Sequence, residues 1–146
     1  MPGTNFYPVL SHLNTKFQSL YLPGQNIVID ESLTLWRGRL SFRQYIPIKS
    51  SKFGIKSYEL CDSISGFLWS FIIYTGIDTV FQTAFISGDT DKTAAILSSL
   101  VEQLLEKGRT LYMDNFYNSP APAQRLNFLK IVLEPCDLAE KTFHKE

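Results

Sequence analysis

The chain has 146 residues, of which 45% are hydrophobic and 14% aromatic, so it can bury the core of one compact domain or of part of a larger one. This composition argues against intrinsic disorder, and no apolar run approaches the roughly 20 residues of a membrane span. The formal net charge is zero, and the two cysteines, Cys61 and Cys136, have neither CxxC nor zinc-ligand spacing, which argues against a disulfide framework. We expect a soluble intracellular chain.

The first half of the chain predicts a helix followed by extended segments. Apolar residues recur at spacings of three and four, which predicts an amphipathic helix over residues 8–20. The run Asn26–Asp30 is rich in β-branched residues and ends in a carboxylate, which is typical of a buried central strand. From Arg37 to Arg43 arginines alternate with apolar residues, so we expect a β-ribbon with one cationic face and one apolar face.

The second half of the chain predicts two antiparallel strands, a helix that ends at Gly108, one more strand and a last helix. In chain order these elements are predicted over residues 56–62, 67–75, 89–107, 110–114 and 119–128. Strands followed by a strand–helix–strand crossover indicate an α/β fold, in which helices pack on a mixed sheet.

Two aspartates, Asp30 and Asp114, each end one of the short apolar strands. If those strands are neighbours, both carboxylates reach one edge of the sheet, where two unpaired negative charges repel each other. A divalent cation removes this repulsion, and oxygen ligands suit Mg²⁺, which acts in pairs in phosphoryl transfer. The alternative is that both aspartates merely cap turns.

A block of positive charge lies between Ser32 and Tyr58, which contains six basic residues and no acidic one. This segment carries a charge of +6 and the remainder of the chain −6. Arginines and exposed rings suit contacts with nucleic-acid phosphates and unpaired bases, while the alternative is a solvated surface hairpin. The predicted DNA-binding residues are Arg37, Arg39, Arg43, Lys49, Lys52 and Lys56.

Four segments, taken together and in this order, resemble the transposase domain of the piggyBac family. They read YLPGQNIVIDES from Tyr21, GRLSFRQYIP from Gly38, KFGIK from Lys52 and YMDNFYNSP from Tyr112. The resemblance extends over roughly residues 7–129. Within the family, the chain most resembles the piggyBac transposable element-derived proteins.

The resemblance implies a ribonuclease-H-like mixed sheet with flanking helices, incomplete here and carrying the basic β-ribbon as an insertion. It implies a DDD variant of the DDE transposases, in which Asp30 and Asp114 match the first two catalytic, metal-binding aspartates. The cofactor would be Mg²⁺ or Mn²⁺, and the reaction would be DNA cleavage and strand transfer at TTAA targets. The basic segment would lie near the DNA backbone.

The chain also departs from the family pattern. The third aspartate and the cysteine-rich zinc module would lie beyond residue 146, so we expect no zinc site, and residues 130–146 form a divergent tail after a transposase part over residues 1–129. We therefore expect a truncated nuclear protein that is inactive or nearly inactive alone. The alternatives are a domesticated DNA- or protein-binding module without catalysis, and a degenerate product without a role. The expected partner is DNA, with a homodimer left open, and no membrane or nucleotide cofactor.

Overall fold

A mixed β-sheet with helices packed on it forms the part of the chain that the computed structural model describes, which is residues 6–50, 52–81, 92–113 and 132–135. Within these ranges the sheet has six strands, and two α-helices and two short 3₁₀ turns accompany it. The elements are α1 (Tyr7–Leu20), β1 (Asn26–Leu35), β2 (Gln44–Tyr45), β3 (Phe53–Asp62), β4 (Leu68–Ile73), a 3₁₀ turn (Gly76–Asp78), α2 (Lys92–Val101), a 3₁₀ turn (Glu102–Leu104), β5 (Thr110–Met113) and β6 (Val132–Pro135).

Strand β1 lies between an antiparallel and a parallel neighbour. It pairs antiparallel with β3 from Ile27 to Leu35 and parallel with β5 from Asn26 to Ile29. Both β2 and β4 pair antiparallel with β3, and β6 pairs parallel with β5. The predicted mixed α/β architecture is therefore confirmed. It includes the predicted antiparallel pair, which is β3 and β4.

The hydrophobic core lies between one face of this sheet and α2. On β1 the inward residues Ile27 and Ile29 are almost completely buried, because alternate side chains of a strand point to the same face. Leu60 of β3 and Leu111 of β5 are equally buried beside them. Burial of each such side chain contributes about 1.5–3 kcal/mol to folding. The helix contributes Ile96, Leu97, Leu100 and Val101.

Helix α1 begins and ends within one residue of its prediction and packs along β4. The side-chain amide of Asn14 donates to the carbonyl of Phe71 at 2.9 Å, and its oxygen accepts the N–H of the same residue at 2.9 Å. Phe17 packs against the rings of Phe67 and Phe71. Asn14 thus satisfies a backbone pair on the side of β4 that faces away from β3, where an exposed edge would invite association.

The loop that leads into β1 is held from two sides. The N–H of Gly24 donates to the Asp62 carboxylate at 2.7 Å, and the guanidinium of Arg109 donates to the carbonyls of Pro23 and Gly24. The N–H of Thr110 donates to the carbonyl of Gln25 at 2.8 Å. These bonds set where β1 begins relative to β5.

The basic ribbon expected over residues 37–43 is not present as a strand. Exposure does alternate as predicted, since the arginines are exposed while Leu40 and Phe42 are half-buried. Local bonds replace a strand ladder: the N–H of Arg43 donates to the carbonyl of Leu40, and its guanidinium donates to the carbonyls of Arg37 and Gly38. After this segment, Gln44–Tyr45 forms the short strand β2, which pairs with the start of β3.

Other differences concern the ends of elements. Helix α2 gives way to a 3₁₀ turn after Val101, so Gly108, with φ of 66°, lies beyond the helix rather than at its C-cap. Strand β6 was not expected, because it falls in the segment interpreted as a divergent tail. The predicted helix over residues 119–128 and the predicted start of α2 at residue 89 lie outside the described residues. No helix in the described part is both long and apolar enough to cross a membrane.

Candidate active site

Asp30 is exposed on β1, directly after the segment that pairs with β5. The prediction placed it at the end of a strand, but β1 continues to Leu35. Among the described residues, the last pair of the parallel ladder between β1 and β5 joins Ile29 to Met113. One oxygen of Asp30 accepts the N–H of Glu31 at 2.7 Å, so the carboxylate is oriented at the sheet surface.

Asp114, the other predicted catalytic and metal-binding residue, lies outside the described residues. The residue that precedes it, Met113, is buried and is the last residue of β5. The described part of the site therefore consists of Asp30 and its neighbours on β1, β3 and β5.

A second carboxylate lies directly opposite Asp30 on the neighbouring strand. Glu59 of β3 is the register partner of Asp30 and is half-buried. One of its oxygens accepts hydrogen bonds from the hydroxyls of Ser32 at 2.6 Å and Ser57 at 2.7 Å. Like charges directly opposite each other in a sheet are destabilising. The hydrogen bonds from the two hydroxyls stabilise the negative charge of the more buried carboxylate, Glu59. Sequence patterns did not identify this pair because register is a tertiary property.

The electrostatic effect of these carboxylates is visible at Cys61, the register partner of Val28 on the same face. Burial raises the pKa of the Cys61 thiol to about 11, and the negative charges of Glu59, Asp30 and Asp62 add to this shift. Asp30 and Glu59, which are register partners, place two negative charges on this face of the sheet, which favours a cation.

Glu31 takes part in a separate ion pair. Its carboxylate lies 2.8 Å from the ammonium of Lys56, and successive strand residues point to opposite faces. Burial would lower the pKa of Lys56, but the hydrogen bond to Glu31 and the neighbouring Tyr58 raise it above its ordinary value. Lys56, one of the six predicted DNA-binding residues, is thus engaged within the protein.

The other predicted DNA-binding residues lie around the turn-rich segment between β1 and β3. Arg37, Arg39, Arg43 and Lys52 are exposed and Lys49 is half-buried. The guanidinium of Arg43 lies over the ring of Phe53, 5.1 Å from its centroid. These cations are therefore accessible at the opposite end of β3 from the β3–β4 turn.

The donor set that the described residues offer to a metal is made of carboxylate oxygens. Such oxygens fit Mg²⁺ and Mn²⁺, which take hard ligands. In the described ranges no group of three or more His, Cys, Asp or Glu residues is placed to hold a metal ion. Asp30 offers one exposed carboxylate donor of this kind.

Asp62 is a structural carboxylate that sequence patterns did not single out as buried. It is 2% exposed and accepts hydrogen bonds from the N–H of Gly24, Ile64 and Ser65 and from the Ser65 hydroxyl. Burial alone would raise the pKa of this carboxyl, but these bonds lower it to about 2. The signal in the sequence is the run Asp-Ser-Ile-Ser-Gly from Asp62, since aspartate and serine side chains bond to nearby backbone in turns.

Comparison with known proteins places this geometry in a family. The family model described as Transposase IS4 matches residues 1–132. The chain is also similar to the cryo-EM structure of a piggyBac transposase synaptic complex with hairpin DNA, at 26% identity and a TM-score of 0.78. That match covers 95% of this chain and 28% of the other.

These matches agree with the resemblance found in the sequence motifs. The family as a whole implies the use of divalent metal ions. Because the family model covers most of the chain, the chain belongs to the Transposase IS4 family, and within it corresponds to part of a piggyBac-like transposase.

Proposed function

We propose that this chain forms part of the catalytic core of a metal-dependent DNA transposase, with Asp30 and Asp114 as metal ligands. The register of β1 and β5 carries the proposal, since Ile29 pairs with Met113 and an aspartate follows each of them in the chain. Neighbouring strands lie about 4.8 Å apart, so a parallel register extended by one residue would bring the two carboxylates within reach of one cation.

Alternation along the strands supports the same arrangement. Asp30 points away from the buried face that Ile29 occupies, and Met113, which precedes Asp114 in the sequence, is buried as Ile29 is. A bound divalent ion would polarise a phosphodiester and activate the attacking oxygen. The exposed carboxylate of Asp30 would supply one ligand, and Glu59 would keep the local charge negative.

The fold and partner that we propose follow from the same observations. The mixed sheet, with antiparallel β4–β3–β1 continued by parallel β5 and β6, supports a ribonuclease-H-like core. The similar piggyBac transposase was solved with DNA, which supports DNA as the partner. We propose a nuclear location together with that partner. We also propose that these 146 residues alone cleave DNA poorly, because the family resemblance assigns to them two of its three catalytic aspartates, Asp30 and Asp114.

Calorimetric titration with Mn²⁺ tests the metal site. We expect wild type to bind Mn²⁺, and both Asp30→Asn and Asp114→Asn to weaken binding by tenfold or more. The matched control is Glu31→Gln, which removes one negative charge from the adjacent residue, and it should retain binding. Equal Mn²⁺ affinity in wild type and both aspartate variants would refute the proposed site.

A nicking assay on supercoiled DNA tests the proposed low activity. Purified chain should leave the DNA intact in Mg²⁺. Appreciable nicking that Asp114→Ala abolishes would show that the chain is active alone.

A second candidate function is DNA binding without chemistry, and the exposed arginines at residues 37, 39 and 43 favour it. This function needs neither aspartate. The logarithm of the affinity should then fall with the logarithm of salt concentration by about 0.9 for each phosphate contacted. The double variant Arg39→Ala, Arg43→Ala should reduce both affinity and slope, while a binding curve that salt leaves unchanged would contradict this function.

A further inference from the structure

Three aromatic side chains are exposed near the start of β3, away from Asp30. Trp36, Tyr45 and Phe53 are 45%, 56% and 44% exposed. At about 3.3 Å per residue, the six positions from Asp30 to Trp36 correspond to about 20 Å. We call these three residues the aromatic patch.

Strand pairing brings the members of the aromatic patch together. Tyr45 and Phe53 are register partners in the β2–β3 pair, and their ring centroids are 4.7 Å apart. The backbone N–H of Trp36 donates to the carbonyl of Phe53 at 3.3 Å. The three residues therefore occupy adjacent positions on β2, β3 and the end of β1.

The rings of the patch are held in place by their surroundings. The indole of Trp36 lies so close to Gly38 that a Cβ there would be 2.6 Å from Nε1. Arg43 lies over the Phe53 ring, 5.1 Å from its centroid, which is a cation–π contact. Large exposed rings that are fixed in this way are pre-organised for a contact, since little side-chain freedom is lost on binding.

The charge around the patch indicates which partner it suits. It lies within the segment from Ser32 to Tyr58, which has six basic residues and no acidic one, and Arg37, Arg39 and Lys52 are exposed there. Aromatic rings beside a cationic surface suit single-stranded nucleic acid, because the cations contact phosphates and each base has a flat face for stacking. In an intact duplex those faces are already stacked on one another.

We propose that the aromatic patch of Trp36, Tyr45 and Phe53 is a stacking platform for unpaired DNA bases. This inference rests on the proposed function and deepens it, because it names the form of DNA that the basic segment prefers. Trp36 and Tyr45 stack on bases, while the nearby arginines hold the phosphates.

The test compares single-stranded and duplex DNA of one sequence, labelled with fluorescein and followed by anisotropy. We expect Trp36→Ala and Tyr45→Ala each to weaken single-strand binding about tenfold or more, as loss of one base–ring stack does, and to change duplex affinity less than twofold. The matched control is Ile64→Ala, which removes an 88% exposed apolar side chain in the β3–β4 turn and should change neither affinity.

Tryptophan fluorescence provides a second readout that needs no alanine variant. The chain has two tryptophans, and Trp69 is only 3% exposed, so it remains as an internal reference. Oligodeoxythymidine should quench the emission of wild type but not that of Trp36→Phe, which keeps a ring and lacks the reporter.

The outcomes separate this inference from the proposed function. The stacking platform would be overturned if the protein binds duplex DNA, both alanine variants keep the wild-type affinity for single strands, and Trp36 is not quenched. The proposal of DNA binding would then still stand. Absence of binding to either DNA would overturn both. A change in oligomeric state on Trp36→Ala, with both DNA affinities unchanged, would show instead that the patch contacts protein.

Discussion

Ile29 of β1 and Met113 of β5 are the last partners in their parallel ladder, and an aspartate follows each of them in the chain. This pairing is the basis for proposing that Asp30 and Asp114, which are distant in the sequence, bind one metal ion. The alternation of side chains along β1 turns Glu31 to the other face, where it forms an ion pair with Lys56. The functional proposal depends on this register, because a shift of one residue would turn Asp30 to the opposite face.

The charge of Asp30 is expected to be measurable at Cys61. Burial and the charges of Glu59, Asp30 and Asp62 raise the pKa of this thiol to about 11, so Asp30→Asn should lower it. The measurement is the pH dependence of alkylation by iodoacetamide in a Cys136→Ser background. Asp78→Asn, in the 3₁₀ turn after β4, is the control and should leave the midpoint unchanged.

The same thiol can report on the metal. Mn²⁺ bound at Asp30 should lower the pKa of Cys61 in wild type and have no such effect in Asp30→Asn. If Mn²⁺ leaves the alkylation midpoint of wild type unchanged, the cation does not bind beside Asp30.

Asp62 is expected to make the free energy of unfolding depend on pH in the acid range. Hydrogen bonds lower the folded pKa of this carboxyl to about 2 from an ordinary 3.8, so its contribution is present above pH 4 and is lost as pH falls towards 2. A shift of this size corresponds to about 2 kcal/mol. Asp62→Asn should lose about that free energy of unfolding at pH 7 and flatten its decline between pH 4 and 2, as measured by urea titration.

The exposed Asp78 provides the comparison for this experiment. Asp78→Asn should leave the decline of the unfolding free energy between pH 4 and 2 as in wild type, because Asp78 is exposed in a short turn. An unchanged acid profile in Asp62→Asn would mean that the turn does not stabilise the ionised carboxylate.

Asn14 is expected to stabilise the protein through β4. Asn14→Ala leaves the backbone N–H and carbonyl of Phe71 without their side-chain partner, which should cost about 1–3 kcal/mol. Urea titration gives this free energy, and size-exclusion chromatography shows whether the uncovered backbone promotes association. Lys16→Ala, at an exposed position of the same helix, should cost less than about 0.5 kcal/mol. Equal stability of the two variants would show that the amide pair contributes nothing.

Gly54 is expected to tolerate no side chain. A Cβ at this position of β3 would clash with the carbonyl oxygen of Thr34, so Gly54→Ala must push β1 and β3 apart. We expect a loss of about 1–3 kcal/mol in the free energy of unfolding, together with weaker protection of the Trp36 amide in hydrogen exchange.

Gly66→Ala separates a steric effect from a conformational one. Gly66 has φ of 70° and nothing lies within 4 Å of an added Cβ, so alanine there should cost only about 1 kcal/mol and leave the Trp36 amide protected. Loss of that protection in Gly66→Ala alone would contradict the proposed contact at Gly54.

Much of the architecture could be predicted from local patterns. The helix over residues 8–20, the buried strand from Asn26 and the antiparallel pair before α2 were predicted because periodicity and turn residues act over a few positions. The β-ribbon predicted over residues 37–43 was wrong. The alternation of exposed and half-buried residues is present, but the Arg43 guanidinium donates to the carbonyls of Arg37 and Gly38, so these carbonyls need no partner strand. Strand β6 was missed because a parallel edge strand needs a distant neighbour that composition does not reveal.

The amino-acid sequence by itself determined the family, the two aspartates and the block of positive charge, since these depend only on which residues follow one another. Only the tertiary structure decided that Glu59 faces Asp30, that Lys56 is paired with Glu31, and that Tyr45 and Phe53 meet beside Trp36. The physical reason is that strand register joins residues far apart in the chain. It is set by the burial of side chains such as Ile29 and Leu60 and by backbone hydrogen bonds, not by any pattern within a single segment.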